Sequence, residues 1–155
     1  MKAPKFNYIR AETRQQALEL LNQLGEDGRI LAGGQSLMPT LNMRLSQPEI
    51  LIDINGLDDL KGIFLDGEIV CFGALTRHVE VLNSSIVTEY LPLIAEAMPH
   101  VAHVAIRNRG TIGGSIALAD PAAEMPACIL ALGATLVVQN SSGKREIAVE
   151  EYFHG

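Results

Sequence analysis

Positive charge is in short supply in this 155-residue chain: 12 Lys and Arg stand against 18 Asp and Glu, a formal net charge of −6. Non-specific nucleic-acid binding depends on lysine and arginine neutralising phosphates, so that class of partner is excluded. A small anion is not, because backbone amides can hold one locally. Cysteine is scarce as well. Cys71 (in IVCFG) and Cys128 (in PACIL) lack CxxC spacing and sit in apolar surroundings. They read as buried thiols, and two cysteines cannot ligate an iron–sulfur cluster. No apolar run reaches the roughly 20 residues that span a bilayer, and the opening MKAPKFNYIR lacks the apolar core of a signal peptide. The expected location is therefore cytoplasmic. Nor is there a low-complexity tract. With 48% apolar and 19% charged residues, the composition is that of a soluble globular protein, long enough for one domain or for two small lobes sharing an interface.

Against these absences stand two glycine pairs. Residues 31–39 read LAGGQSLMP and residues 110–115 read GTIGGS. Each pair follows a short apolar run and precedes a small hydroxyl or amide side chain. Without a Cβ, consecutive N–H groups can converge on a bound anion that side chains would otherwise block. A single glycine pair is most often only a tight turn; two in one chain point to a doubly cradled phosphate. Neither fits GxGxxG, and GxxxxGK[ST] is absent, so the Rossmann and P-loop readings fail on spacing.

In chain order, Thr13 and Gln16 form a capping box. Ala17, Leu18, Leu20, Leu21 and Leu24 follow at helical spacing, with Gly25 as the stop. Residues 29–32 predict a short strand, and Ser36 is placed to cap a brief helix through Leu45, with Pro39 tolerated in its first turn. Strand, glycine turn and helix start in that order suit a phosphate. Residues 50–54 (ILIDI) predict a buried strand that closes a small α/β lobe over residues 1–55. A second lobe, 56–155, begins with a hairpin whose arms, 61–65 and 68–72, flank Asp66-Gly67. Helices are expected over 76–82, 90–98 and 123–132, the last stopped by Gly133. Residues 100–106 fit helix or strand, Asp120-Pro121 breaks the chain, and 134–139 pairs with 144–149. Beyond the glycine loops there is no internal repeat.

LAGGQSLMP, the GALT segment, IRNRGTIGGSIALADPAAEMP, and LGATLVV followed by REI and EEYFHG together resemble the FAD-binding medium subunit of the molybdenum hydroxylases, the family of carbon monoxide and xanthine dehydrogenases. The resemblance runs from about Phe6 to the last residue. It implies an α+β fold of the PCMH type, with two lobes around a flavin cleft: the small α/β lobe, and a larger one with a mainly antiparallel sheet and flanking helices. It implies that Ala32, Gly33, Gly34, Gln35 and Ser36 wrap the FAD pyrophosphate, with Leu31 and Leu37 at their flanks. Thr111, Ile112, Gly113, Gly114 and Ser115 would complete the cradle. Ala74 and Thr76 would approach the flavin end, Val101 would form an apolar wall, and Glu124 stands where the family usually has an aspartate on a ribose hydroxyl.

The same resemblance implies an oxidoreductase subunit rather than a self-sufficient hydroxylase. Its partners would be an iron–sulfur small subunit and a molybdopterin large subunit, and its acceptor NAD⁺, a quinone or oxygen. The family's usual C-terminal domain, with a lysine that helps finish the flavin site, lies beyond this sequence. Two other functions stay open: a non-catalytic remnant or assembly module with weak or no FAD binding, and a stand-alone flavin reductase. No nucleophile is paired with a base, and none is required, since the cofactor carries the chemistry. Arg107 and Arg109 either help neutralise the diphosphate or are solvated loop arginines. Asp120 reads as a turn-former before Pro121. His100 and His103, with Glu96 one turn earlier, have no further convincing ligand, and Pro99 interrupts the helix that would align them, so no metal site is expected. His78 and His154 read as surface or structural residues.

Overall fold

The structure, a computed structural model, describes residues 2–153; His154 lies outside them. The chain divides into two compact units, one comprising the residues through Asp58 with Gln139–Lys144, the other Asp59–Val138 with the residues from Arg145 on.

The first unit is built on three parallel strands, β1 (Asn7–Arg10), β2 (Gly28–Leu31) and β3 (Ile50–Asp53), in the order β1-β3-β2. Ile50 stands level with Asn7 and Gly28, and Asp53 with Arg10 and Leu31. The central strand is the apolar one, its Leu51 and Ile52 fully buried, as expected for a strand paired on both edges. Helix α1 (Arg14–Leu24) follows β1. Thr13 Oγ1 accepts from Gln16 N–H at 3.1 Å, while Gln16 Oε1 accepts from Glu12 N–H at 2.7 Å. The reciprocal cap foreseen from Thr13 and Gln16 forms, one residue earlier on the backbone side. Gly28 allows close approach of this helix, since a Cβ there would lie 3.0 Å from the Leu24 Cβ. Helix α2 (Leu37–Asn42) is shorter than its sequence pattern predicts, and Ser36 makes no side-chain cap. Arg44 at φ 58° turns the chain away before Leu45.

In the second unit, β4 (Ile63–Asp66) and β5 (Ile69–Phe72) pair antiparallel, with Asp66 opposite Ile69. The loop is thus Gly67-Glu68, one residue later than the Asp66-Gly67 reading. Gly67 at φ 60° takes the first central position, where a type II′ turn needs glycine. Helices α3 (His78–Leu82), α4 (Ser85–Tyr90), α5 (Pro92–Ala97), α6 (Val104–Arg107), α7 (Ile112–Leu118) and α8 (Glu124–Ala131) follow. The ribbon β6 (Thr135–Asn140) and β7 (Gly143–Ala148) leads into α9 (Val149–Tyr152).

The mainly antiparallel sheet expected here is instead two separate two-stranded ribbons, and helices supply most of the core. The ambiguous stretch 100–106 is a turn followed by α6, and α4 and α9 had too short a pattern to be foreseen. Val81, Val87, Ile94, Met98, Val101, Ile112, Met125 and Cys128 form one buried cluster. Among the described residues no helix is long and apolar enough to cross a membrane.

Met98 has no exposed surface at the centre of that cluster. Met98→Ala should therefore cost about 2–5 kcal/mol, read as a lower urea midpoint at unchanged slope.

Candidate functional site

The first glycine loop leaves the end of β2 with the carbonyls of Leu31, Ala32, Gly33, Gly34 and Ser36 engaged. Leu31 O accepts from Ile54 N–H (3.1 Å) and Gly34 O from Met38 N–H (3.0 Å). Ala32 O accepts from Asn55 Nδ2 (2.8 Å), and Gly33 O from the Gln35 side-chain amide (2.9 Å). Ser36 O accepts from both the N–H and the hydroxyl of Thr40, at 3.1 and 2.8 Å. The N–H groups of Gly33, Gly34, Gln35 and Ser36, by contrast, enter no hydrogen bond among the described residues. This asymmetry has a geometric cause. In a trans peptide the C=O and the following N–H point in opposite directions, and the described residues contain no cis peptide. Carbonyls held against the protein turn the next N–H groups away from it. Such a row of unpaired donors suits an anion. Gly34, at φ 71°, makes the turn possible, and a Cβ there would meet Leu31 Cδ1 at 3.2 Å.

Behind this loop lies a polar chain that sequence reading passed over. The Tyr8 hydroxyl donates to Asp53 Oδ2, and Asp53 Oδ1 accepts from Asn55 N–H at 2.8 Å and Nδ2 at 2.6 Å. Burial alone would raise the Asp53 carboxyl. Hydrogen bonds from Tyr8 and from both Asn55 donors, with the nearby Arg10 charge, outweigh that and hold it below its ordinary value. The only sequence signal was a polar pair, Asp53 and Asn55, at the end of an apolar strand.

The second glycine segment is built differently. Ile112 N–H donates to Thr76 O (3.0 Å), Gly113 N–H to Ala74 O (2.9 Å) and Ser115 N–H to Thr111 O (3.0 Å). Gly114 N–H donates to Thr111 Oγ1 (3.1 Å), which caps α7. These amides are spent within the fold, so the amide nest read from GTIGGS is not formed. Its glycines serve close packing. A Cβ at Gly113 would lie 2.6 Å from Ala74 O, one at Gly114 2.8 Å from Thr111 Oγ1, and one at Gly110 2.8 Å from His78 Cδ2.

The second unit nevertheless brings together several of the residues singled out above. Ala74 and Thr76 run alongside Thr111, Ile112 and Gly113, tied also by the Arg77–Thr111 bridge and the His78 N–H to Gly110 O bond of 3.0 Å. Thr76 is fully buried and its hydroxyl donates to Gly62 O at 2.8 Å. Val101 belongs to the core with Ile112. Glu124 is half-buried at the start of α8.

Other side chains have structural duties. Arg107 donates to the carbonyls of Val101 (2.8 Å), Ala102 (3.0 Å) and Pro99 (3.3 Å), where Ala102 takes a left-handed φ of 46°. It is a clamp for that turn. Arg109 is exposed and its carbonyl accepts from Arg77. The Asp120 carboxylate accepts from Ala122 N–H at 2.9 Å, the turn its position predicts. His100 and His103 are exposed, and no group of three or more His, Cys, Asp or Glu among the described residues could hold a metal ion. Cys128 is buried and Cys71 half-buried. Burial, then the Glu124 charge, pushes the Cys128 thiol up.

His78 is not a surface residue: it is 5% exposed and its Nδ1 has no hydrogen-bond partner. Burial pushes its imidazole below the ordinary value of 6.5, opposed by the Glu124 charge and reinforced by Arg107.

The sequence matches, over residues 4–155, the family described as FAD binding domain in molybdopterin dehydrogenase. It is 46% identical over 97% of its length to the 6-hydroxypseudooxynicotine dehydrogenase complex subunit alpha of Paenarthrobacter nicotinovorans, of which it covers 51%. It is 42% identical over its full length to the carbon monoxide dehydrogenase medium chain of Hydrogenophaga pseudoflava, covering 54% of that chain. A solved structure of carbon monoxide dehydrogenase from the same organism superposes with a TM-score of 0.97, and quinoline 2-oxidoreductase from Pseudomonas putida 86, at 38% identity and 54% of that chain covered, with 0.96. The protein thus belongs to the FAD-binding domain family of the molybdopterin dehydrogenases. It spans about half the length of the curated relatives it matches.

Two outcomes are expected. Gly113→Ala should destabilise the second unit by at least about 2 kcal/mol in chemical unfolding, because its Cβ meets backbone that cannot move aside. For His78, the unfolded imidazole takes up a proton near 6.5 while the buried one resists. Stability is therefore complete above that pH and falls as pH drops toward the folded value. His78→Gln should flatten this acid-side decline in melting temperature.

Proposed function

We propose that this chain binds FAD and serves as the flavin-carrying electron-transfer subunit of a molybdenum hydroxylase complex. The observation that carries the reading is the row of N–H groups from Gly33 to Ser36 that are unpaired among the described residues, on a loop whose Ala32, Gly33 and Gly34 carbonyls are engaged. Those donors suit the pyrophosphate of a dinucleotide, and the match to an FAD-binding family supports FAD as that dinucleotide. Ala32, Gly33, Gly34, Gln35 and Ser36 hold the diphosphate between Leu31 and Leu37.

Because the amides of residues 112–115 are committed internally, the second segment's share falls to the exposed edge at Gly114 and the Ser115 hydroxyl. Thr111, Ile112 and Gly113 shape that edge. Ala74, exposed on its own strip of chain, and the buried Thr76 support the flavin end, Val101 forms the apolar wall, and Glu124 contacts a ribose hydroxyl. The division into two compact units supports the reading of a PCMH-type FAD domain.

When bound, FAD supplies the electron-transfer chemistry between iron–sulfur centres and an acceptor such as NAD⁺, a quinone or oxygen. The protein's own part is to bind and orient. Several relatives are named as subunits or chains of dehydrogenases, which supports an iron–sulfur small subunit and a molybdopterin large subunit as partners.

Titration with FAD should yield a yellow protein whose visible absorbance bleaches with dithionite. Gly34→Val, which adds a branched side chain at a left-handed φ beside the free amides, should abolish uptake. Glu124→Ala should weaken it by about 1–2 kcal/mol. A chain that stays colourless at saturating FAD sinks the proposal. Uptake of ADP without FAD would favour a non-catalytic remnant, and NADH-driven flavin reduction without partners a stand-alone reductase.

A further inference from the structure

The chain of hydrogen bonds behind the first glycine loop makes none of the contacts proposed for FAD, yet it ends on the loop's backbone. Its outer member, Tyr8, is 54% exposed on β1 and contributes a hydroxyl to Asp53. Its inner member, Asn55, lies just past the end of β3. There Nδ2 faces three acceptors: Asp53 Oδ1 at 2.6 Å, Ala32 O at 2.8 Å and, more distantly, Leu31 O at 3.4 Å. Only the nitrogen end of the amide can face such a set, since a carboxylate and two carbonyls all repel an oxygen. The Asp53 carboxylate, itself held by Tyr8, thereby fixes which way the Asn55 amide points.

The next step follows from peptide geometry. Ala32 O is drawn inward by Asn55, so the N–H on the same peptide plane, that of Gly33, is turned outward. Gly33 O is drawn back by Gln35, which turns out the N–H of Gly34. The first inward anchor in this run comes from outside the loop, and Asn55 supplies it.

We propose that Asn55, braced by Asp53 and Tyr8, is a positioning residue for the diphosphate of the cofactor: it sets the peptide orientation that presents the Gly33 amide to the anion. The role rests on the FAD reading above. Without the anchor the Ala32–Gly33 peptide can rotate, and ordering it again on binding costs affinity.

The test uses the 155-residue chain and its variants Asn55→Leu, Tyr8→Phe and Thr13→Ala, titrated with FAD and separately with ADP, alongside thermal melts. Asn55→Leu should weaken both ligands by the same factor, about tenfold or more, because the lost order is at the shared diphosphate. Tyr8→Phe, which keeps an exposed ring and does not threaten folding, should weaken both roughly threefold, and it carries the test alone if Asn55→Leu does not fold. Thr13→Ala removes the α1 cap in the same unit and should lower the melting temperature while leaving both affinities unchanged. Equal affinities in Asn55→Leu, Tyr8→Phe and the unmodified chain overturn the proposal, as does an equal loss in Thr13→Ala, which would trace the effect to stability alone. If the unmodified chain binds neither FAD nor ADP, the FAD reading fails instead. The anchoring is then decided by amide resonances in ligand-free protein: shifted or broadened Gly33 and Gly34 peaks in Asn55→Leu sustain it, and unmoved peaks overturn it.

Discussion

The pairing of β3 with strands on both sides is the constraint from which the first unit's chemistry follows. It buries Leu51 and Ile52, sets Asp53 level with Leu31, and so delivers Asn55 to the carbonyls where the glycine loop begins. A slip of one residue in a parallel ladder would reverse every side chain's face and remove the anchor as well as the core. The same pairing leaves Leu31 O to accept from Ile54 N–H, which extends the ladder into the loop's first peptide. The proposed anion site thus draws on backbone N–H groups, in a chain whose net charge is −6. Fixed peptide dipoles act locally, where the long-range charge is of the wrong sign.

The two glycine motifs look alike in sequence and are physically unlike. In the first, glycine supplies a left-handed turn at Gly34 and open access to unpaired amides. In the second, Gly110, Gly113 and Gly114 exist because His78, Ala74 and Thr111 come too close for a Cβ. Their amides close hydrogen bonds along the GALTRH segment and into the first turn of α7. That arrangement makes the second segment a tightly packed edge whose amides from Ile112 to Ser115 are already paired. Glu124 and the Arg107 clamp lie within electrostatic reach of buried His78, whose imidazole burial holds below its ordinary value.

Much of this was legible in the chain. The α1 helix with its Thr13 and Gln16 cap, the strands flanking the glycine loop, the β4–β5 hairpin, and α8 stopped by Gly133 all follow from periodicity and local turn chemistry, because each is decided by residues a few positions apart. Family membership was legible for a related reason: glycine pairs in set contexts have few sequence substitutes. Short helices such as α4 and α9 were not, since four to six residues hold too little periodicity and owe their helicity to packing. The expected antiparallel sheet became two separate ribbons because strand pairing between distant segments leaves no local signature.

Sequence by itself therefore determined where the chain turns, which faces are apolar, and that a glycine loop follows β2. Only the tertiary structure decided which backbone amides are left unpaired. That outcome depends on partners far along the chain, such as Asn55 for Ala32 and Thr76 for Ile112, and a hydrogen bond between residues distant in sequence is invisible until the fold brings donor and acceptor together.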